Sequence, residues 1–419
     1  MINKISKSTL WFFGASFAIY ALLQILVSTH LLTPFWNTII RLGGVMAIVA
    51  IGLNLIYGFN GQFSLGQWGF YAIGAYSAAD VTYRWTVNKS ADGIIVLALA
   101  TLLSGAAILW LHQRLSKVRG LDPLSAFTIY LTSTILLSAL AVWIGKVITP
   151  PVTSFLQLLP AAVSLQVVFI LAVLFSAVLA AEISYLFGLP ILSLGSDYFG
   201  IATLGFTIIV KILLDNSDSL LGFVEMKGAR GMVGIPKVTS LFWVFFFLML
   251  VVILVRNLLR SSYGRAIISV REDEIAAKAM GIDIAEYKII AFVLGSFLAG
   301  LAGGLYAHIN GFLHPDTFNF IKSFDPMIVI VFGGLGSITG TVFAAFAWAL
   351  VLEGVLRIFL PQGFETWRFV VYPLLLLIIM LLRPKGIFGE FEIPFLRQVL
   401  PKARDKKPTE TASAAEVKS

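Results

Sequence analysis

The chain has 419 residues, of which 58% are hydrophobic and only 12% charged, with a formal net charge of +8. A soluble globular chain carries about 25% charged residues, so half that share, with repeated apolar runs of about 20 residues, excludes a soluble domain and indicates a polytopic helical membrane protein. The positive charge lies beside the apolar runs, where it reports topology rather than nucleic-acid binding, and the absence of cysteine excludes disulfides, thiol nucleophiles and thiolate metal sites.

In chain order, Lys4 and Lys7 precede an apolar run at 10–32 that is too long for a signal-peptide core and has no small-x-small cleavage site after it. It is expected to be a retained first span. Further apolar stretches follow at 36–57, 65–83, 93–112, 124–148, 161–188, 198–214, 239–258, 289–312, 325–340, 341–360 and 367–383. The third, seventh and tenth are short or broken by glycine. Basic residues cluster at Lys4 and Lys7, at His112, Arg114, Lys117 and Arg119, at Arg256 to Lys288, and at Arg383 and Lys385. The positive-inside rule places all four clusters in the cytoplasm, which requires an even number of crossings between each pair. The expected fold is therefore an all-α integral membrane bundle of about 10–12 spans, some short or broken, with both termini cytoplasmic. If 325–340 is re-entrant, ten spans result. Residues 1–400 form the transmembrane domain, and 401–419, "PKARDKKPTETASAAEVKS", have the composition of a disordered cytoplasmic tail.

Two places interrupt the apolar pattern. "GFNGQFSLGQWG" (58–69) sets four glycines, two glutamines, an asparagine and a serine between two spans. Glycine costs entropy in a helix and an unpaired amide is expensive in lipid, so this backbone must be covered by protein or water. If the chain is helical from 65 onward, Gly66, Gly69 and Ala72 share a face that a neighbouring helix can approach closely. "GGLGSITGT" (333–341) echoes the first interruption in the second half of the chain, and paired interruptions of this kind point to a transport pathway. Its glycines lack the Lys and the preceding strand of a phosphate-binding loop, and no G-x-x-x-x-G-K-[ST] occurs in the chain.

The longest charged cytoplasmic segment is "RSSYGRAIISVREDEIAAKAMGIDIAEYK" (260–288). Ile267, Ile268, Val270, Ile275, Ala276, Ala279 and Met280 recur at helical spacing, with charges between them and Gly281 as a C-terminal stop. A short amphipathic helix is expected here, either resting on the membrane surface or docking a cytoplasmic partner. Asp273 and Glu274 are adjacent acids with no partner base or cleft implied, so they carry no catalytic constellation.

The remaining charges have structural readings. Glu353 and Arg357 suit i,i+4 pairing; Arg41, Asp80, Lys146 and Lys211 lie near span ends where they can snorkel; Glu182 sits slightly deeper; Asp325, before Pro326, is a candidate N-cap. His30, His112, His308 and His314 have no ligand-like spacing, so no metal site is expected.

"AAKAMG" (276–281) resembles the Ala-Ala-x-x-x-Gly core by which ABC importer permeases grip their ATPases, although the upstream Glu is displaced by one place and a later Leu-Pro is absent. The string 264–307, together with "GLNLIYGFNGQFSLGQWGFYAIGAYSAA" (52–79), "SDYFGIATLGF" (196–206), "GGLGSITGTVFAA" (333–345) and "LLRPKGIFG" (381–389), is similar to permeases of branched-chain amino acid ABC importers, the longer LivM type of the LivH/LivM family. The outer loop departs from that pattern: "MKGARGMVGIP" (226–236) stands where a Gly-Gly-Pro-Asn-Gly stretch is usual.

The resemblance implies a non-catalytic subunit in a bacterial inner membrane. It would work with a paralogous LivH-type permease, two cytoplasmic ATPases that hold ATP and Mg, and an extracytoplasmic substrate-binding protein, and would bind no cofactor itself. It implies ATPase coupling through Arg265, Arg271, Glu272, Asp273, Glu274, Ala276, Ala277 and Gly281. It also implies a translocation path past Asn60, Gln62, Ser64 and Gln67, with Gly334, Gly336 and Ser337. The same family pattern would serve a permease for urea, a short amide or another amino acid. An ion-coupled secondary transporter should instead show chains of intramembrane acids and lack the docking helix.

Overall fold

The computed structural model describes residues 7–115, 123–193, 196–219 and 222–359, and near the C-terminus 374, 377–378, 381–382, 386–389 and 391–396. The tail at 401–419, all but five positions of the expected span at 367–383, and Lys4, Lys117, Arg119, Arg383 and Lys385 lie outside the described residues.

Helices α1 (Lys7–Ser28), α2 (Pro34–Leu53), α3 (Gln67–Thr86), α4 (Asp92–Leu115), α5 (Pro123–Gln157), α6 (Ala161–Ser193), α7 (Ser196–Asp215) and α8 (Leu241–Arg260) follow one another along the chain. Two short helices, α9 (Ser262–Glu272) and α10 (Glu274–Ala279), precede α11 (Ile284–Asn310), α12 (Phe324–Gly333), α13 (Ile338–Trp348) and α14 (Leu356–Phe359). A π-helical turn extends α2 over Asn54–Phe59, and another joins α13 to α14 over Ala349–Val355. Local signals set several ends. Pro34 opens α2 with a φ suited to a first turn. Asp283 caps α11 by accepting hydrogen bonds from the Ala285 and Glu286 amides, and Gly311, at φ 75°, closes it.

Among the described residues, nine helices are long and apolar enough to cross a membrane. The chain is a multi-pass helical membrane protein. Burial sorts the spans: 83% of the most apolar stretch of α2 and 67% of that of α11 are buried, against 17% for α5 and none for α1. The first pair forms the centre and the second lies at the periphery. Close approach at the centre depends on absent side chains. A Cβ on Gly74 would lie 2.0 Å from the Gly300 carbonyl, and one on Gly303 would lie 2.0 Å from that of Tyr71, so α3 and α11 meet backbone to backbone. Gly66 and Gly69 face Thr203, Phe206 and Thr207 of α7 in the same way.

Contacts divide the molecule into two ends. At one, Arg84 near the end of α3 pairs with Glu225, Arg41 of α2 donates to the Thr239 carbonyl, and the two-residue strands β1 (Met232–Val233) and β2 (Phe312–Leu313) pair antiparallel. At the other, Arg271 touches Gly58, and Arg256 and Arg260 both donate to the Phe395 carbonyl. The basic residues mark this second end as cytoplasmic. The expected segment at 325–340 turns out to be a half-helical passage. Phe312 and Leu313 lie at the outer end and residues 334–337 at the inner one, yet only Phe324–Gly333 between them is α-helical. Ten residues rise about 15 Å, half of a hydrocarbon core of about 30 Å, and 3-10 turns at Pro315–Phe318 and Phe320–Ser323 take up the rest. Asp325 is not the cap of this helix: α12 begins one residue earlier, and Asp325 sits in its first turn, paired with Lys322 at 3.2 Å.

Candidate functional site

The first interruption begins where the π-helical turn ends. Gly61, at φ 81°, reverses the chain, and its amide and that of Gln62 close onto the Tyr57 and Ile56 carbonyls. Residues 61–66 then run without helix until α3 starts at Gln67. This irregular backbone is served by α7: the Leu65 amide donates to Thr203 Oγ1 at 3.0 Å and Thr207 Oγ1 donates to the Leu65 carbonyl at 3.2 Å. In the extended stretch burial alternates, so Gln62 and Ser64 turn inward while Gly61 and Phe63 turn out.

Asn60, Gln62, Ser64 and Gln67 are all at least nine-tenths buried, with Gln67 1% exposed. Ser64 Oγ accepts from the Gly66 amide. The amides differ. Both polar side-chain atoms of Asn60, both of Gln67, and Oε1 of Gln62 are buried without a hydrogen-bond partner. A buried unpaired amide costs about 1–3 kcal/mol, so five such atoms within eight residues indicate groups held for another partner.

The second interruption is assembled differently. Gly334 and Gly336 take φ 117° and 81°, and Ser337 caps α13 by accepting from the Gly340 amide while donating to the Phe391 carbonyl. Asn54, the polar residue in the apolar run "IGLNLIYG", fastens it. Its Oδ1 accepts from the Gly336 amide at 2.9 Å, and its Nδ2 donates to the Ser337 carbonyl and to Thr341 Oγ1 at 3.0 and 2.8 Å. Glu392 accepts from the Ile338 and Thr339 amides, adding the C-terminal segment to the same lock. Gly334, Gly336 and Ser337 thus lie in a closed brace at the inner end.

The cytoplasmic segment forms two helices where the periodicity predicts one. Asp273 has extended backbone and accepts from the Ile275 and Ala276 amides, so it ends α9 and caps α10. Ala266, Ile267 and Val270 bury the apolar face of α9. On α10 only Ala277 is buried, at 4%, while Ile275 and, just beyond it, Met280 are 84% and 82% exposed. Ala277 therefore packs inward, Ala276 is exposed beside Ile275, and Gly281 serves as a left-handed terminus at φ 83° with open space around it. Glu274 holds α10 to α11 through Lys288 at 2.7 Å, and Arg265 donates to the Arg260 carbonyl. Arg271 pairs with Glu272 and reaches back into the bundle, donating from Nη1 to the Gly58 carbonyl at 2.6 Å. It lies between the two interruptions: a Cβ on Gly61 would come within 3.1 Å of Arg271 Cγ, and one on Gly336 within 3.2 Å of Nη1.

Sequence reasoning missed the fastening role of Asn54, whose only signal is its isolation in an apolar run. It also left the other polar groups apart that the fold pairs. Glu182 accepts from Ser104 Oγ at 2.6 Å, Lys211 pairs with Asp215 and Asp316, and His308 has both ring nitrogens engaged, by Thr82 Oγ1 and the Gly304 carbonyl. Among the described residues no group of His, Asp and Glu is arranged to hold a metal ion.

Comparison with known proteins gives a consistent picture. The family described as "Branched-chain amino acid transport system / permease component" matches residues 36–152 and 124–381. The chain is 32% identical over 246 residues to the high-affinity branched-chain amino acid transport system permease protein LivM of Escherichia coli K12, a match covering 51% of this chain and 55% of that relative. It is 26% identical over 359 residues to permease protein BraD of Pseudomonas aeruginosa, covering 84% and 94%. To permease protein LivH of Salmonella typhimurium it is 23% identical, with the same coverages of 84% and 94%. The chain thus spans about half the length of the LivM relative it matches. No solved structure matches it.

Proposed function

The chain belongs to the branched-chain amino acid transport system permease family, and from that premise we propose that it is the membrane-spanning permease subunit of an ATP-driven importer of branched-chain amino acids in a bacterial inner membrane. It forms half of the translocation path beside a paralogous LivH-type permease. It performs no catalysis: two cytoplasmic ATPases hold ATP and Mg, and a binding protein delivers substrate from outside. The single observation that carries this reading is the Arg271 contact, because one side chain joins the exposed cytoplasmic helices to the interrupted spans. Ile275 and Met280 offer an apolar plug, ringed by Glu272, Glu274 and Lys278, for a groove on the ATPase. A displacement of α9 and α10 is transmitted through Arg271 to the Gly58 carbonyl, and so to the chain carrying Asn60, Gln62 and Gln67.

The test separates docking from transmission. Ile275→Asp with Met280→Asp should abolish co-purification of the ATPases while the subunit stays in the membrane; ATPases that still co-purify would remove the docking surface from the proposal. Arg271→Ala should keep the ATPases bound and hydrolysing while ATP-driven leucine uptake in proteoliposomes falls at least tenfold. Uptake at the wild-type rate would show that motion reaches the path by another route.

A further inference from the structure

A cavity of about 230 Å³ lies within the bundle, and no residue of the cytoplasmic loop lines it. It is bounded by the middle turns of α2, the first turns of α3 and α12, the end of α11, and the end of α13 with the π-helical turn and α14 that follow it. Its charged lining is two cations and two anions, Lys322 with Asp325 and Arg357 with Glu353. The first pair is in contact at 3.2 Å, and the second stands at 3.9 Å, beyond hydrogen-bonding distance. Leu42, Met46 and Val49 make an aliphatic wall, opposed by Trp68 stacked on Tyr71 at 4.7 Å. Trp348, also in the lining, has an indole Nε1 that is buried with no hydrogen-bond partner.

We propose that this cavity binds a small zwitterion with an aliphatic side chain, the α-amino acid class, on its way to the first interruption. The proposal rests on the importer function above and adds the site and the charge rule. The lining is neutral as a whole, so a ligand with one net charge would leave an unbalanced charge beside the two pairs, whereas a zwitterion exchanges internal ion pairs for ligand pairs. Its carboxylate meets Lys322, Arg357 and the unpaired Trp348 N–H, and its ammonium meets Asp325 and Glu353. The aliphatic wall takes the side chain. The volume is below the range of about 300–1,000 Å³ typical of drug-sized ligands, which suits a small solute. Trp68, in the wall, directly follows Gln67, so the cavity borders the end of the stretch that carries the unpartnered amides.

The test uses the assembled transporter, two permeases with ATPases in nanodiscs and no binding protein, and saturation-transfer NMR with three probes of equal shape. L-Leucine should give a clear signal, while 4-methylpentanoate, lacking the amine, and 3-methylbutylamine, lacking the carboxylate, should each give less than a tenth of it. Glu353→Gln should reduce the leucine signal at least fivefold and Trp348→Phe about threefold. Equal signals from the three probes on the wild type would overturn the proposal whether or not the variants assemble, as would an unchanged leucine signal in assembled variants. ATP-driven uptake with the binding protein, measured on the same preparation, keeps the two readings apart. Uptake without cavity binding defeats the site alone, and a wild-type assembly that shows no ATP-driven uptake defeats the importer reading.

Discussion

Between residues 334 and 337 the chain turns with its polar groups tied to distant partners, whereas between Asn60 and Gln67 it turns with its side-chain amides buried and unpaired. In the later turn Asn54 makes three hydrogen bonds, Ser337 makes two, and Glu392 closes the outside of the lock. In the earlier one, the threonines of α7 satisfy the backbone at Leu65 and leave the amides of Asn60 and Gln67 bare. Both sequences look alike, being glycine-rich and containing serine. Their energetics differ in sign: the later turn stabilises the bundle by being saturated, and the earlier one carries a cost that only a transient partner removes. Arg271, touching the Gly58 carbonyl beside one and packed near Gly336 of the other, lets the cytoplasmic helices act on the costly turn against the rigid one.

Three substitutions test that contrast, in order of decreasing effect on stability. Asn54→Leu strands the Gly336 amide in a buried site and takes one donor from the Ser337 carbonyl, which keeps its bonds from Thr341, and should cost about 2–3 kcal/mol, seen as a large fall in the thermal midpoint of the purified subunit. A midpoint within a degree of wild type would mean that the later turn is not a brace. Gly61→Ala places a side chain at φ 81° and against Arg271 Cγ, and should cost about 1–2 kcal/mol while weakening the coupling of hydrolysis to uptake. Unaltered coupling would separate Arg271 from the earlier turn. Gln67→Leu removes two unpaired polar atoms, so stability should be unchanged or slightly higher, while leucine uptake falls at least tenfold. A clear loss of stability in this variant would show that Gln67 is a structural residue and would erase the difference between the two turns.

The cytoplasmic helices sharpen the same lesson. Ala277 and Gly281 belong to the family-like string, yet Ala277 is buried against its own bundle and Gly281 terminates a helix. The apolar side chains left for a partner are Ile275 and Met280. Gly281→Ala should cost only about 1 kcal/mol, because the position is left-handed but surrounded by open space. Co-purification of the ATPases lost to that change alone would move the docking surface onto Gly281.

The sequence by itself determined that the chain crosses a membrane as apolar helices and where its two glycine-rich interruptions fall. A lipid core demands about 20 apolar residues per crossing and tolerates polar or glycine-rich backbone only as an exception, so each exception is visible locally. Basic clusters record the cytoplasmic side in the same local way. What only the tertiary structure decided is which polar groups are satisfied. Asn54 meets Gly336 across 282 residues, and Arg271 meets Gly58 across 213. Lys322 and Asp325 come to share one cavity with Glu353 and Arg357 because α12 starts halfway through the membrane. A hydrogen bond or an ion pair depends on distances of about 3 Å between groups that no local pattern places together, and the packing of α2, α3, α7, α11 and α13 sets those distances.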